Sequence, residues 1–434
     1  MQRRCKINKT TDDMKKLLLL LLFTVVTTMV SAQKYVGGDI SMLKKFLDEG
    51  AIYNDKDGNA VQPLAFFKEQ GWNAMRVRLF VDPANASSSD RKEGAIQDLE
   101  YVKAMGKDIK AAGFKFMLDF HYSDTWTDPG QHSTPASFRV LPALYEELLY
   151  SYTKQCLKEL NEVGATPDFI QTGNEITYGM LWPTGHIWPA GGGQDGGTWE
   201  KFTLYLSEAI RACKEECPDA KIVIHTEMSK AQNVIDFYQQ LSNYPNVSYD
   251  IIGLSYYPDF HNGLNVLNST LTTLESSYPE KNIMIVETGY GFEWPISGAK
   301  YDFSDIWPIT EEGQRKYTAD LIATLNSHPH VNGLFWWYPE YTLNNIVFKN
   351  GTEDWSKDFT SGYWNAALFH YKTGKALAAL YELKNFDDGS TGMQSVRSAD
   401  KKDNAWYTLD GRKLNGTPQK KGIYINNNKK VIVR

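Results

Sequence analysis

From Val36 onward the sequence alternates between two kinds of apolar pattern. Short, nearly continuous apolar runs occur at Val36–Ile40, Ala74–Phe80, Lys115–Phe120, Asp168–Gly173, Lys221–His225, Asp250–Ser255, Asn282–Val286 and Val331–Trp337. Most are separated by longer segments whose apolar residues recur at helical spacing, such as Ile96–Ala112, Leu144–Val163, Trp199–Lys214 and Thr310–Asn326. A stretch like Ile283-Met284-Ile285-Val286 is apolar on both faces, as a strand is when helices cover a parallel sheet. Eight such runs alternating with helices predict an α/β chain, a (β/α)8 TIM barrel over residues 33–386.

The two ends break this rhythm. Lys15 and Lys16 precede an unbroken apolar run from Leu17 to Phe23, and small residues follow at Ser31-Ala32. A basic start, an apolar middle and a small-residue end are the layout of a signal peptide, assigned here to residues 1–32. It predicts export across the inner membrane to the periplasm, cell surface or medium, with no stable membrane span left after cleavage. No Cys follows the apolar run, which argues against a lipoprotein anchor. At the other end, residues 387–404 read as a polar linker. Residues 405–434 then form a short β-rich tail, with strand-like pieces at Trp406–Leu409, Gly422–Ile425 and Lys430–Val433. About thirty residues are too few for a core of their own. The pattern Tyr407-Thr408-Leu409-Asp410-Gly411-Arg412, followed by Lys421-Gly422-Ile423-Tyr424, resembles the C-terminal tails of many secreted Bacteroidetes proteins. It suggests sorting or surface attachment; a small accessory hairpin packed on the barrel is the alternative.

Charge narrows the partners. The formal net charge of −6 includes six Lys/Arg against two Asp/Glu in residues 1–32, so the chain after Ala32 is near −10. An acidic protein with no basic stripe is a poor match for nucleic acid and a better one for a neutral polymer. Cys156, Cys213 and Cys217 are an odd set after the signal, which argues against a disulfide framework. Cys213 and Cys217 read as ordinary helix residues. The eight His show no paired spacing of the zinc-binding kind. No cofactor is expected, and a monomer is.

In a parallel barrel, reacting groups sit at the C-terminal ends of the strands. Two runs finish in a carboxylate there: Phe169-Ile170-Gln171-Thr172-Gly173-Asn174-Glu175 on the fourth strand, and Ile283–Val286 followed by Glu287 on the seventh. Two carboxyl groups facing each other across a barrel mouth suit glycosidic bond cleavage, one protonating the leaving oxygen while the other attacks. Alternation puts Arg76 and Arg78 on one face of the second strand, and Asp119 and His121 on one face of the third. Of the twelve Trp, all but Trp72 and Trp406 lie in or after the third, fourth, seventh and eighth strands. Aromatic planes at one rim suit stacking against sugar rings, although packing of long loops would account for several of them.

The resemblance then becomes specific. Asn174-Glu175 with a strand-seven Glu resembles the large clan of retaining glycosidases, and within it the chain is similar to the arabinogalactan endo-β-1,4-galactanases of glycoside hydrolase family 53. The matching segments run from about residue 36 to 383: Gly37–Ser41, Arg76–Pro83, Asp119–Gly130, Gln171–Glu175, Gly253–Pro258 and Val286–Tyr290. The resemblance implies cleavage of internal β-1,4-galactosidic linkages in galactan or arabinogalactan, with Glu175 as acid/base and Glu287 as nucleophile ~5 Å apart. It implies that Asn174 donates to the sugar 2-hydroxyl and that one of Arg76 and Arg78 keeps Glu287 ionised, Arg76 being placed deeper and Arg78 nearer the mouth. Asp119, His121 and Trp126 join the substrate-binding set, as does Tyr256 or Tyr257 through a hydrogen bond to Glu287, with Trp337 as the platform beneath the sugar.

One departure stands out. Bacterial members can carry calcium between the seventh and eighth loops, but Phe292–Asp302 lacks the needed cluster of oxygen ligands, so no metal is expected. The barrel and its carboxylates do not by themselves separate galactan from mannan, xylan or β-glucan. Nor do they separate an enzyme from a carbohydrate-binding barrel that has lost turnover.

Overall fold

The structure is a computed structural model that describes residues 33–346 and 363–386, together with residues 406–408, 413–414, 418, 422–426 and 429–433. Eight parallel strands close into a barrel: β1 (Tyr35–Asp39), β2 (Ala74–Leu79), β3 (Lys115–Phe120), β4 (Phe169–Thr172), β5 (Lys221–Glu227), β6 (Ile251–Ser255), β7 (Asn282–Glu287) and β8 (Val331–Trp337). Each strand pairs with its sequence neighbours, and β8 returns to β1 to complete the ring. The expected (β/α)8 architecture is present.

The helices that cross between strands bury one face each. They include α1 (Pro63–Glu69), α2 (Leu99–Ala111), α3 (Tyr145–Glu162), α4 (Trp199–Glu216), α5 (Ala231–Leu241), α6 (Leu264–Ser277) and α7 (Glu311–Asn326), and α8 (Ala378–Glu382) follows β8. Several start on a side-chain cap that satisfies a free backbone N–H: Asp98 accepts from Tyr101 N, Thr198 from Lys201 N and Thr310 from Gly313 N. Cys213 lies on α4, but Cys217 is its C-terminal cap rather than a helix residue. With Cys156 they are three buried free thiols.

The bore of the barrel changes character along its axis, and this positions the site. Residues pointing inward at the N-terminal end are apolar: Ala74, Met117, Phe169, Val223, Ile251, Met284 and Phe335 pack together there. Two residues further along the same strands, the same face carries Arg76, Asp119, Gln171, His225 and Trp337, joined by Asp39 from β1. Period-2 alternation therefore stacks a polar layer on an apolar plug.

Strand β7 departs from that alternation. Val286 points into the bore with Met284, so simple alternation would turn Glu287 outward. The pairing of β6 with β7 shifts register at this point, from Leu254 opposite Ile285 to Ser255 opposite Glu287. The extra residue re-aims Glu287 into the mouth, as bulges beside active sites do.

The tail, Ser390–Arg434, is a separate compact unit. Among the described residues it holds four antiparallel strands rather than the three read from sequence: β9 (Trp406–Thr408), β10 (Lys413–Leu414), β11 (Gly422–Asn426) and β12 (Lys429–Val433), in the order β10-β9-β11-β12. The signal reading at residues 1–32 and the linker reading at 387–404 lie outside the described residues.

Close strand approach makes Gly37 intolerant of any side chain, since a Cβ there would lie 1.8 Å from the Ala74 carbonyl oxygen on β2. Gly37→Ala is expected to lower stability by about 3 kcal/mol, the upper end of ordinary overpacking. Thermal unfolding followed by circular dichroism checks this, and an unchanged midpoint contradicts it.

Candidate active site

At the C-terminal end of the barrel a cleft of about 840 Å³ opens over the polar layer. Arg78, Trp126 and Trp337 line it on the side of β2, β3 and β8, and Glu227, Phe260 and Lys300 on the side of β5 to β7. Glu175 and Glu287 both face it. A second pocket of about 500 Å³, at the opposite end between Lys115, Asp168 and Lys221, is remote from these carboxylates.

Beneath the cleft lies a fully buried cation. Arg76 Nη1 bonds Asp39 Oδ2 at 2.7 Å, while Nη2 lies 2.8 Å from Asp119 Oδ2, 2.9 Å from Asn174 Oδ1 and 2.9 Å from Glu287 Oε1. Burial alone would weaken its hold on the proton, but Asp119, Glu287 and Asp39 together strengthen it. Arg78 shares Asp39 through Nη1 at 2.8 Å and spreads its guanidinium near Trp126 and Tyr338, 4.9 and 5.0 Å from the ring centres. Arg76 is therefore the deep arginine touching Glu287, and Arg78 is the one at the cleft wall.

The two glutamates are held very differently. Glu287 takes the Arg76 ion pair and a hydrogen bond from the Tyr257 hydroxyl at 3.0 Å. Among the described residues no Lys, Arg or His forms an ion pair with Glu175. Burial, then the charges of Glu287 and Glu227, push its carboxyl well above the usual range. Burial raises Glu287 as well, with Asp119 and Asp39 adding to it, while Arg76 and Tyr257 lower it. Glu287 therefore stays above its ordinary range but is lifted less than Glu175. The proton of the pair therefore sits on Glu175, and Glu287 is the ionised partner. Glu175 also adopts a left-handed backbone (φ 47°, ψ 47°) at the turn after β4. That conformation is strained for a side-chain-bearing residue and typical of functional turns.

The long run after β3 has a structural logic. His121 Nδ1 accepts from Thr127 N at 3.2 Å and lies 2.9 Å from Thr127 Oγ1, which leaves its proton on Nε2, 3.2 Å from Asp119 Oδ2. Burial first, only partly offset by Asp119, lowers the basicity of this ring. The Thr127 carbonyl accepts from Asn174 Nδ2 at 2.7 Å. An amide nitrogen has two hydrogens, so the second remains for a ligand in the cleft. Asp124 anchors the neighbouring loops by accepting from Asp82 N and Ala136 N.

Three residues assigned to substrate contact do not line the cleft. Arg76 and Asp119 are 0% exposed and lie under it, where they act through Glu287, Asn174 and His121. Tyr256 faces away, its hydroxyl donating to the Asn262 carbonyl at 2.8 Å; of the two tyrosines, Tyr257 reaches Glu287. Arg78, His121, Trp126, Asn174, Tyr257 and Trp337 do line it. The tryptophans divide as well. Trp126 and Trp337 face the cleft 6.5 Å apart, whereas Trp199, Trp307 and Trp336 are buried in packing. Trp188 stands exposed on the loop after β4. Among the described residues no group of three or more His, Cys, Asp or Glu is arranged to hold a metal ion.

Sequence reasoning passed over Asp39, Gln171, His225, Glu227 and Ser255. Each is a polar side chain on the inward face of an apolar strand, a signal that was available. Gln171 Nε2 donates to Asp119 Oδ1, and Glu227 lines the cleft while accepting from Ser229 Oγ at 3.0 Å.

Comparison with known proteins fits this geometry. The family profile "Glycosyl hydrolase family 53" matches residues 35–383. The chain belongs to glycosyl hydrolase family 53. It is 32% identical over 335 residues to an arabinogalactan endo-beta-1,4-galactanase of Thermothelomyces thermophilus, covering 72% of this chain and 91% of that one. A solved family 53 catalytic domain from Ignisphaera aggregans superposes with a TM-score of 0.70 at 30% identity, covering 83% and 98% of the two chains. A fungal β-1,4-galactanase structure gives 0.67 at 27% identity, covering 81% and 99%.

In this family 53 barrel, Tyr257→Phe removes a hydrogen bond that favours the Glu287 carboxylate. Its pKa should rise, and the acid limb of the pH profile of kcat/KM should move up by about one unit. An acid limb that stays in place would show that Tyr257 does not support the charge.

Proposed function

We infer that this chain is a retaining, endo-acting glycoside hydrolase that cleaves internal β-1,4-galactosidic linkages of galactan or arabinogalactan. The observation that carries the mechanism is the unequal support of two carboxyl groups: Glu287 paired with Arg76 and Tyr257, and Glu175 with no ion pair among the described residues and with Glu287, Glu227 and Asp128 around it. The substrate follows from family 53 membership along almost the whole barrel and from galactanase relatives.

In the first half of the reaction a Glu287 oxygen attacks the anomeric carbon. The bond to the leaving oxygen breaks, and the Glu175 proton passes to that oxygen, leaving a glycosyl ester on Glu287. In the second half Glu175, now a carboxylate, takes a proton from water as the water attacks the same carbon. Glu287 is released, and the configuration is retained. The faces of Trp126 and Trp337 offer stacking surfaces for sugar rings, and the spare Asn174 N–H offers a donor for a hydroxyl.

We further propose that the protein is exported and acts as a monomer on a polysaccharide outside the cytoplasm. Lys15-Lys16, Leu17–Phe23 and Ser31-Ala32 support export. Among the described residues no helix is long and apolar enough to cross a membrane.

The test is release of reducing ends from linear β-1,4-galactan beside mannan, xylan and β-glucan. Release from galactan alone is expected, falling at least about a hundredfold in Glu175→Ala and further in Glu287→Ala. Preference for another polymer would keep the mechanism and remove the substrate assignment. Inactivity on all four would point to a binding protein.

A further inference from the structure

The backbone of Glu175 is held from two sides by side chains that the mechanism above does not use. His132 comes from the loop after β3 and His225 from the inward face of β5, and both are buried. His132 Nε2 lies 3.3 Å from the Glu175 carbonyl oxygen. The Glu175 backbone N–H points at His225 Nδ1, 3.2 Å away. Between these two contacts sits the left-handed backbone (φ 47°, ψ 47°) that leads into the short 3-10 helix Ile176–Tyr178.

Each contact has a direction that chemistry dictates. A carbonyl oxygen only accepts, so His132 Nε2 carries a hydrogen and donates it. Among the described residues His132 Nδ1 is buried with no hydrogen-bond partner, a place where a second N–H would go unsatisfied. Burial also lowers the pKa of this ring to about 3. The ring is therefore neutral, with its one hydrogen turned to Glu175. At His225 the roles reverse. A backbone nitrogen carries its hydrogen, so Nδ1 accepts, and the ring hydrogen lies on Nε2, 2.8 Å from Ser255 Oγ. Asn174 Oδ1, 3.1 Å from the same Nδ1, already accepts from Arg76 Nη2 and Gln171 Nε2 and needs no proton from the ring. Burial and then the charge of Arg76 keep this ring neutral too.

We propose that His132 and His225 clamp the acid/base on either side of its Cα, one donating to its carbonyl and one accepting from its N–H, and that His132 is a positioning residue for Glu175. The inference rests on Glu175 being the acid/base. The N–H lies on the peptide plane that turns with φ, and the C=O on the plane that turns with ψ. Holding both planes fixes the direction of the Cα–Cβ bond, and with it the root of the carboxyl-bearing side chain. A left-handed backbone is uphill for glutamate, so a turn with either plane free would drift towards an ordinary conformation. His132 is itself well anchored. Its carbonyl accepts from Trp182 N at 2.8 Å, Thr134 Oγ1 donates to the Trp182 carbonyl at 2.8 Å, and the two rings pack with centres 5.4 Å apart. The loop after β3 is thereby fastened to the loop after β4 beside the turn that carries Glu175. Glu287 depends on Arg76 and Tyr257 instead. Loss of the His132 donor therefore impairs the proton transfers of Glu175 and spares the attack by Glu287.

The test compares two variants of the full chain. His132→Phe keeps a ring against Trp182 but removes the donor, while His132→Gln keeps an N–H at the end of its side chain. Each is assayed on linear β-1,4-galactan, whose leaving sugar needs the proton of Glu175, and on a dinitrophenyl β-galactobioside, whose leaving group does not. The readout is the ratio of the two kcat/KM values, which does not depend on how much of the protein is folded. In His132→Phe, kcat/KM on galactan should fall about tenfold relative to the dinitrophenyl substrate, the size expected for one lost hydrogen bond. His132→Gln should recover most of that loss. A wild-type ratio in His132→Phe, or a ratio in His132→Gln no better than in His132→Phe, overturns the clamp while leaving Glu175 as acid/base. A Glu175→Ala variant that keeps the wild-type ratio overturns the assignment of Glu175 and the clamp with it.

Discussion

The mouth of the barrel is organised around one buried guanidinium. Arg76 is 0% exposed and touches Asp39, Asp119, Asn174 and Glu287 at once. Burying an ion costs several kcal/mol unless its partners are close and well oriented, and removing one partner of a buried pair typically costs about 3–5 kcal/mol. Such a cation permits little freedom in the strands that supply its ligands. β1, β2, β3, β4 and β7 must arrive at one level of the bore with their inward side chains converging. Asp39 extends the constraint by bridging Arg76 to Arg78, and so ties the buried layer to the aromatic cleft wall.

The chemical asymmetry of the two glutamates follows from where this cation sits. Both carboxyl groups lie in the mouth of the barrel, where desolvation alone would raise each of them. Arg76 lies against Glu287 and not against Glu175, while Glu227 adds a negative charge near Glu175. One carboxyl is thereby kept as a base and the other as an acid within a single cleft. No difference in residue type is needed, only a difference in neighbours.

Much of this was legible in the chain. Eight apolar runs located eight strands to within a residue or two at most ends, because two-sided burial leaves a strong local trace. Asn174-Glu175 and Glu287 stood out as carboxylates just past strand ends. The abundance of Trp near one rim was less informative. Trp199, Trp307 and Trp336 pack the scaffold, and Trp126 and Trp337 meet the cleft, a division that depends on which way each loop folds. The tail shows the reverse problem: Lys413–Leu414 is too short to leave a pattern, yet it pairs with Trp406–Tyr407 once those strands are aligned.

What the sequence by itself determined is local: the two periods, the strand ends, the carboxylates beyond them and the segments shared with family 53. Tertiary structure decided which of these residues meet. A register shift between β6 and β7 turned Glu287 inward against the alternation of its own strand. Tyr257 rather than Tyr256 reached Glu287, and Arg76 rather than Arg78 became its counter-ion. His225 and Glu227 became neighbours of Glu175, and Ser255 of His225, only because β4, β5 and β6 lie side by side in the closed ring. The physical reason is common to all of these. Alternation along one strand says which residues share a face, whereas the stagger between strands says which share a level, and stagger is set by hydrogen bonding and packing around the whole barrel.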